Sequence, residues 1–227
     1  MLLILLIIIG IWYYKKQEKT YQGSSYYKIT HNSYLNIYFD KGKFGEYQIY
    51  KKLRGFEAGG CKILFNLYIP KENGETTEID VLMIARRGLI VFESKNYSGW
   101  IFGNEYSQKW TQTLPAGRRA RKFYFFNPIL QNKGHINNLK KLLNESIPMF
   151  SIITFSERCT LKKVPTNTRE LKIINRGNVM SALKSIADNS LEVMDEAKIN
   201  EIYDKLYPYT QVSESVKVQH IQQIKNR

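Results

Sequence analysis

A chain of 227 residues, 43% hydrophobic and 24% charged, has the composition of a globular protein with a full core, which excludes disordered and collagen-like classes. Its 34 Lys and Arg outnumber 20 Asp and Glu, for a net charge of +14, and so large an excess favours an anionic partner, either nucleic acid or an anionic membrane surface. The two cysteines, Cys61 and Cys159, have no CxxC spacing, and the three histidines are scattered, which argues against a zinc ribbon, a disulfide scaffold or a histidine-based metal site. Free thiols suit a reducing compartment.

The charge is uneven. Residues 41–145 hold 18 basic and 9 acidic side chains, against 4 and 2 in residues 1–40 and 12 and 9 in residues 146–227. Residues 1–14 carry no side-chain charge and are followed by Lys15 and Lys16. They lack the basic start and small-residue cleavage site of a signal peptide. The stretch predicts an N-terminal membrane anchor over residues 1–16, short for a span, with Trp12, Tyr13 and Tyr14 at the interface. Lysines after the run place the rest of the chain in the cytoplasm, giving a single-pass protein of the cell membrane. Residues 17–40 are polar and tyrosine-rich and read as a linker.

The spacing of Phe44, Tyr47, Ile49, Tyr50 and Leu53 predicts a helix over about 43–54. Residues 61–70 read as a strand closed by Pro70, and residues 78–86 and 88–97 as two strands joined by a tight turn at Arg86-Arg87-Gly88. A short strand is expected near residues 99–104, and a basic, aromatic loop over 105–126. Asn127 as cap and Pro128 in the first turn open a helix with an apolar stripe from Ile129 to Leu143. A strand at 149–157 and amphipathic helices at about 178–187 and 191–206 follow. The order α-β-β-β-α-β predicts an α/β domain with a mixed central sheet over residues 41–157, and a C-terminal α/β extension over 158–227.

The stretch IDVLMIARRGLIVFESKNYSG, residues 79–99, carries the chemistry. Its two apolar runs are broken by Asp80 in one strand and by Glu93 and Lys95 in the next. Alternation puts Glu93 and Lys95 on one face and Ser94 on the other. With the turn near Arg87, Asp80 falls across the ladder close to Glu93 and Ser94. Two carboxylates with backbone carbonyls make a hard-oxygen site suited to Mg²⁺ or Mn²⁺. A lysine beside them can hold the attacking water or stabilise the phosphate, and metal plus lysine is what phosphodiester hydrolysis requires.

These blocks resemble the PD-(D/E)xK nuclease superfamily, and more closely its nuclease-related domain family, NERD. The resemblance rests on KGKFGE (41–46), EIDVLMIARRGLIVFESKNYSG (78–99), Trp110 and NPILQNKGHINNL (127–139), and spans about residues 40–145. It implies a restriction-endonuclease-like α-β-β-β-α-β core. It implies that Asp80 and Glu93 are metal ligands, that Lys95 is the catalytic lysine, that Glu46 adds a carboxylate orienting the metal or a water, and that Gln131 supports the site. The superfamily's Pro-Asp is Ile79-Asp80 here, a change without chemical consequence.

The reading that emerges is a membrane-anchored, Mg²⁺- or Mn²⁺-dependent nuclease acting on DNA. Arg118, Arg119, Arg121 and Lys122 are the candidates for phosphate contacts, set against a plain solvated loop. Glu46 also reads as an ordinary helix carboxylate, Gln131 as a helix-start residue, and Glu93–Lys95 as a surface ion pair. The alternative for the whole chain is a catalytically inactive nucleic-acid-binding or scaffolding module on a nuclease-like fold.

Overall fold

The computed structural model describes residues 1–117 and 119–225. In chain order these form helices α1 (Leu2–Gln22), α2 (Ser25–Thr30), α3 (Tyr34–Phe39) and α4 (Lys41–Leu53), then strands β1 (Lys62–Pro70), β2 (Thr76–Ala85), β3 (Gly88–Lys95), β4 (Gly99–Phe102), β5 (Lys109–Ala116) and β6 (Arg119–Phe126). Helix α5 (Pro128–Leu143) leads to β7 (Met149–Phe155), β8 (Cys159–Lys163) and β9 (Leu171–Asn175), and α6 (Val179–Asp188), α7 (Glu196–Leu206) and α8 (Glu214–Lys225) end the described chain.

Two sheets result, ordered β1-β2-β3-β7-β9 and β6-β5-β4-β8. In the first, β1, β2 and β3 are antiparallel neighbours, while β3, β7 and β9 run parallel. The class is therefore α/β with mixed sheets. Strand β3 is central, and its run from Gly88 to Glu93 is buried on both faces, which is why it reads as continuously apolar rather than alternating. The two-residue turn at Arg86-Arg87 returns the chain through Gly88 at φ 134°. Only glycine suits that conformation, and a Cβ there would collide with the Pro148 carbonyl.

Helix α5 starts where the cap predicts. Asn127 Oδ1 accepts from Ile129 N at 2.9 Å, and its amide donates to the Ser107 carbonyl at 2.8 Å. Asn132 then pins the helix to the sheet, donating to Val91 O at 3.0 Å and to Ser151 Oγ at 2.8 Å. Glu93 faces α5 and Ser94 faces α4, so these helices flank opposite faces of the sheet.

Three expectations change. For the expected N-terminal span, no helix among the described residues, α1 included, is long and apolar enough to cross a membrane. Lys15, Lys16, Glu18 and Lys19 fall inside α1, leaving an apolar part, residues 2–14, of about 20 Å against a hydrocarbon core of about 30 Å. Residues 17–40 are not a free linker. They form the end of α1 together with α2 and α3, and Tyr21, Tyr26, Ile29 and Ile37 are buried in the main core, with Tyr21 Oη donating to Asn32 O at 2.7 Å.

Residues 105–126 are not a loop either, since β5 and β6 form an antiparallel hairpin from Lys109↔Phe126 to Ala116↔Arg119. Trp110, fully buried, anchors that hairpin by stacking on Phe155 at 6.2 Å between ring centroids.

Candidate active site

The ladder between β2 and β3 has its last pair at Val81↔Phe92. One residue beyond, Asp80 Oδ2 accepts from the Ser94 amide at 2.7 Å, so a carboxylate takes the place of a backbone carbonyl as the strands part. Glu93, next to Ser94, is 1% exposed. Its Oε1 lies 2.7 Å from Lys95 Nζ and its Oε2 3.2 Å from His135 Nε2. Lys95 Nζ also donates to Gln131 Oε1 at 3.0 Å. His135 Nδ1 is 2.6 Å from Thr77 Oγ1, and a neutral ring carrying its proton on Nε2 satisfies both neighbours at once.

Asp80, Glu93, Lys95 and Gln131 are thus brought together from three elements. Glu46 is not hydrogen-bonded to any of them. From α4 it accepts from Asn66 Nδ2 at 3.1 Å and from Tyr26 Oη at 3.3 Å, and Asn66 Nδ2 also reaches Glu78 Oε1 at 3.3 Å. Glu46 is linked to Asp80 through charge alone.

Electrostatics separate the acidic groups. Burial, and then the charges of Glu93 and Glu46, push the Asp80 carboxyl well above the usual range, partly offset by Lys95 and the Ser94 amide. Burial would raise Glu93 as well, but Lys95 and His135 outweigh it and hold its carboxyl below the ordinary value. Burial alone would lower Lys95, but Glu93 and Asp80 more than compensate and keep it a firm ammonium. Glu46 is pushed up to about 8 by burial and by the neighbouring charge of Glu78. Carboxyls with opposed shifts at one place are a common mark of a working site.

No group of three or more His, Cys, Asp or Glu side chains among the described residues is gathered closely enough to hold a metal ion. The donor chemistry nevertheless fits a hard divalent cation. Asp80, Glu93 and Glu46 set three carboxyls against the single ammonium of Lys95, and the charges of Glu93 and Glu46 add to burial in raising the Asp80 carboxyl. Asp80 and Glu93 would hold such a cation, with Lys95 or His135 yielding an oxygen of Glu93.

The basic residues lie elsewhere. Arg118 falls outside the described residues. Arg119, Arg121 and Lys122 are exposed on β6, and strand alternation puts Arg119 and Arg121 on one face and Lys122 on the other. They do not form a single cluster.

Sequence reasoning missed His135, Thr77, Asn66 and Glu78. One signal was available for the first: His135 follows Gln131 by four residues on a helix and so shares its face. Arg176, after β9, was missed too. It is 4% exposed, its Nη1 is 3.9 Å from Glu157, and its Nε and Nη2 have no hydrogen-bond partner among the described residues.

A family model described as nuclease-related domain (NERD) matches residues 41–156. An uncharacterized protein of Bacillus anthracis is 30% identical over 187 residues, covering 82% of this chain and 85% of its own length. No solved structure gives a significant match.

Proposed function

The chain belongs to the nuclease-related domain family, and from that premise we propose that it is a divalent-metal-dependent nuclease hydrolysing phosphodiester bonds in DNA. The observation that carries the proposal is the convergence of Asp80, Glu93, Lys95 and Gln131 at the point where β2 and β3 separate. With β4, β5 and β6 set apart in the second sheet, the remaining order α4-β1-β2-β3-α5-β7 supports placing the domain in the PD-(D/E)xK superfamily.

In this reading Asp80 and Glu93 hold Mg²⁺ or Mn²⁺, and Glu46 is a further carboxylate behind them. When bound, the cation supplies an acidified water and neutralises charge at the phosphate. Lys95 is held as an ammonium by Glu93 and aimed by Gln131. It stabilises charge growing on the phosphate, an interaction made in the transition state rather than in the ground state. His135 acts through Glu93, fixing the carboxylate with Nε2 while Thr77 fixes the ring. We also place the domain in the cytoplasm, where the free thiols of Cys61 and Cys159 would stay reduced.

A specific observation favours a second reading. Both Glu93 oxygens are already engaged, by Lys95 and His135, so the centre is also consistent with an inactive nucleic-acid-binding module. Incubating the purified chain with plasmid and linear DNA in Mg²⁺, Mn²⁺ or EDTA decides between them. Cleavage that requires the metal supports the nuclease. DNA binding without cleavage in either metal supports the module.

A further inference from the structure

Strands β4, β5, β6 and β8 contain Lys109, Arg119, Arg121, Lys122, Lys162 and Lys163 and not one Asp or Glu. One face of their sheet is covered where Trp110 and Phe125 pack against Phe155, and farther along β6 it carries the exposed Phe123, Arg121 and Arg119. The other face is different. Residues paired across strands share a face: Trp100 and Lys122 both pair with Thr113, Phe102 and Tyr124 both pair with Thr111, and Phe126 pairs with Lys109. This outward face therefore carries aromatic rings interleaved with lysines. Trp100 is 42% exposed, Tyr124 67% and Phe126 45%, and Lys162 Nζ sits 5.6 Å from the Trp100 ring centroid.

Three large rings left open to water on one face, on strands with no negative side chain, are not needed for the core, which is built on Trp110, Phe125 and Phe155 from the other face. Anionic backbone and flat π-faces are the two features of single-stranded nucleic acid. Lysines meet the phosphates, and rings stack on bases without reading their sequence. In a duplex the bases are already stacked and out of reach of a flat sheet.

The sheet is also tied to the candidate active site at both ends. It begins at Gly99, four residues after Lys95, and Gln112 Nε2 donates to Ser98 O at 2.8 Å. It leaves through Phe126 into Asn127 and α5, which carries Gln131 to Lys95.

We infer that the outward face of the β6-β5-β4-β8 sheet binds single-stranded nucleic acid, so that the substrate class is a nucleic acid with unpaired bases next to the cleavage point. The link to cleavage rests on the nuclease reading above; binding by the face does not.

The test is fluorescence anisotropy of a labelled oligothymidylate and of a blunt duplex of equal length, with the full chain in EDTA so that nothing is cut. The single strand should bind more tightly. The double variant Trp100→Ala, Tyr124→Ala should lose at least about tenfold for the single strand and little for the duplex. The double variant Trp100→Phe, Tyr124→Phe should retain most of the affinity, which separates stacking from a folding defect. Equal affinity for the two probes, or an alanine variant that binds like wild type, overturns the inference. So does binding to phosphatidylglycerol vesicles with none to either oligonucleotide, which would make the face a membrane surface. If the face binds single strands but the chain cuts nothing in Mg²⁺ or Mn²⁺, the nuclease reading fails and this one stands. If the chain cuts and the alanine variant binds and cuts as wild type, this inference alone fails.

Discussion

Glu93 Oε1 and Lys95 Nζ lie 2.7 Å apart, with side chains 1% and 16% exposed, so these two charges are a buried unit rather than a surface ion pair. Removing the lysine strands a buried carboxylate, with His135 as its remaining partner. Lys95→Ala should therefore lower folding stability by about 3–5 kcal/mol, where a surface pair would cost at most about 1 kcal/mol. It should also slow cleavage at least about a hundredfold while changing DNA affinity only a few-fold. Urea unfolding and single-turnover cleavage on one preparation check both parts. Unchanged stability would contradict the burial argument, and unchanged cleavage the catalytic one.

His135 is a positioning residue whose loss should show in a pH profile. Its hydrogen bond helps hold the Glu93 carboxyl below its usual value. His135→Ala removes that support, so Glu93 takes up a proton at higher pH, and the acid limb of the single-turnover pH–rate profile should move upward. A lower plateau with no movement of the limb would mean that His135 only supports the fold.

Glu46 links pH to stability, and the sign follows from its direction of shift. Its carboxyl goes from an ordinary 4.5 to about 8, chiefly by burial. A group whose folded pKa is raised binds its proton more tightly when folded, so its penalty is absent below about 4.5 and grows as pH rises toward 8. Stability measured in EDTA should fall across that window. Glu46→Gln keeps a partner for Asn66 and Tyr26, carries no ionisable proton, and should make the decline shallower. An identical slope in the variant would contradict the assignment.

Truncation distinguishes the two parts of the N-terminal region. Residues 2–13 are exposed, whereas Tyr21, Tyr26, Ile29 and Ile37 belong to the core. Deleting residues 1–12 should leave the thermal midpoint of the remainder within a few degrees. Deleting residues 1–40 should destabilise the domain severely, because four large apolar side chains, each contributing about 1.5–3 kcal/mol, are removed together. A stable domain beginning at residue 41 would contradict this packing.

What was legible in the sequence was local. The β2–β3 hairpin, the position of Asp80 across from Glu93 and Ser94, and the Asn127–Pro128 start of α5 follow from alternation, turn and cap rules acting over a few residues. The β5–β6 hairpin was hidden because its outward face is aromatic and cationic where a half-buried strand would be plainly polar, so residues 105–126 show no clean alternation. Residues 17–40 were hidden by their tyrosines, which look like a polar linker until Tyr21 and Tyr26 are seen packed on Tyr47. His135 and Glu93 meet across 42 residues, a pairing that no local pattern encodes. The apolar N-terminus misled for a different reason. Composition revealed a helix there, but the charges from Lys15 onward stop it short of a membrane's thickness.

The central claim is that Asp80 takes part in metal-dependent phosphodiester hydrolysis, and the most direct test compares single-turnover cleavage by wild type and Asp80→Asn over a series of Mg²⁺ and Mn²⁺ concentrations. Asparagine preserves an oxygen for the Ser94 amide, and in EDTA it removes like-charge repulsion with Glu93, so the variant should melt no lower than wild type. The account predicts metal-dependent cleavage by wild type and at least about a hundredfold slower cleavage by the variant at every metal concentration. Cleavage by Asp80→Asn at the wild-type rate, or cleavage by wild type that persists in EDTA, would contradict it.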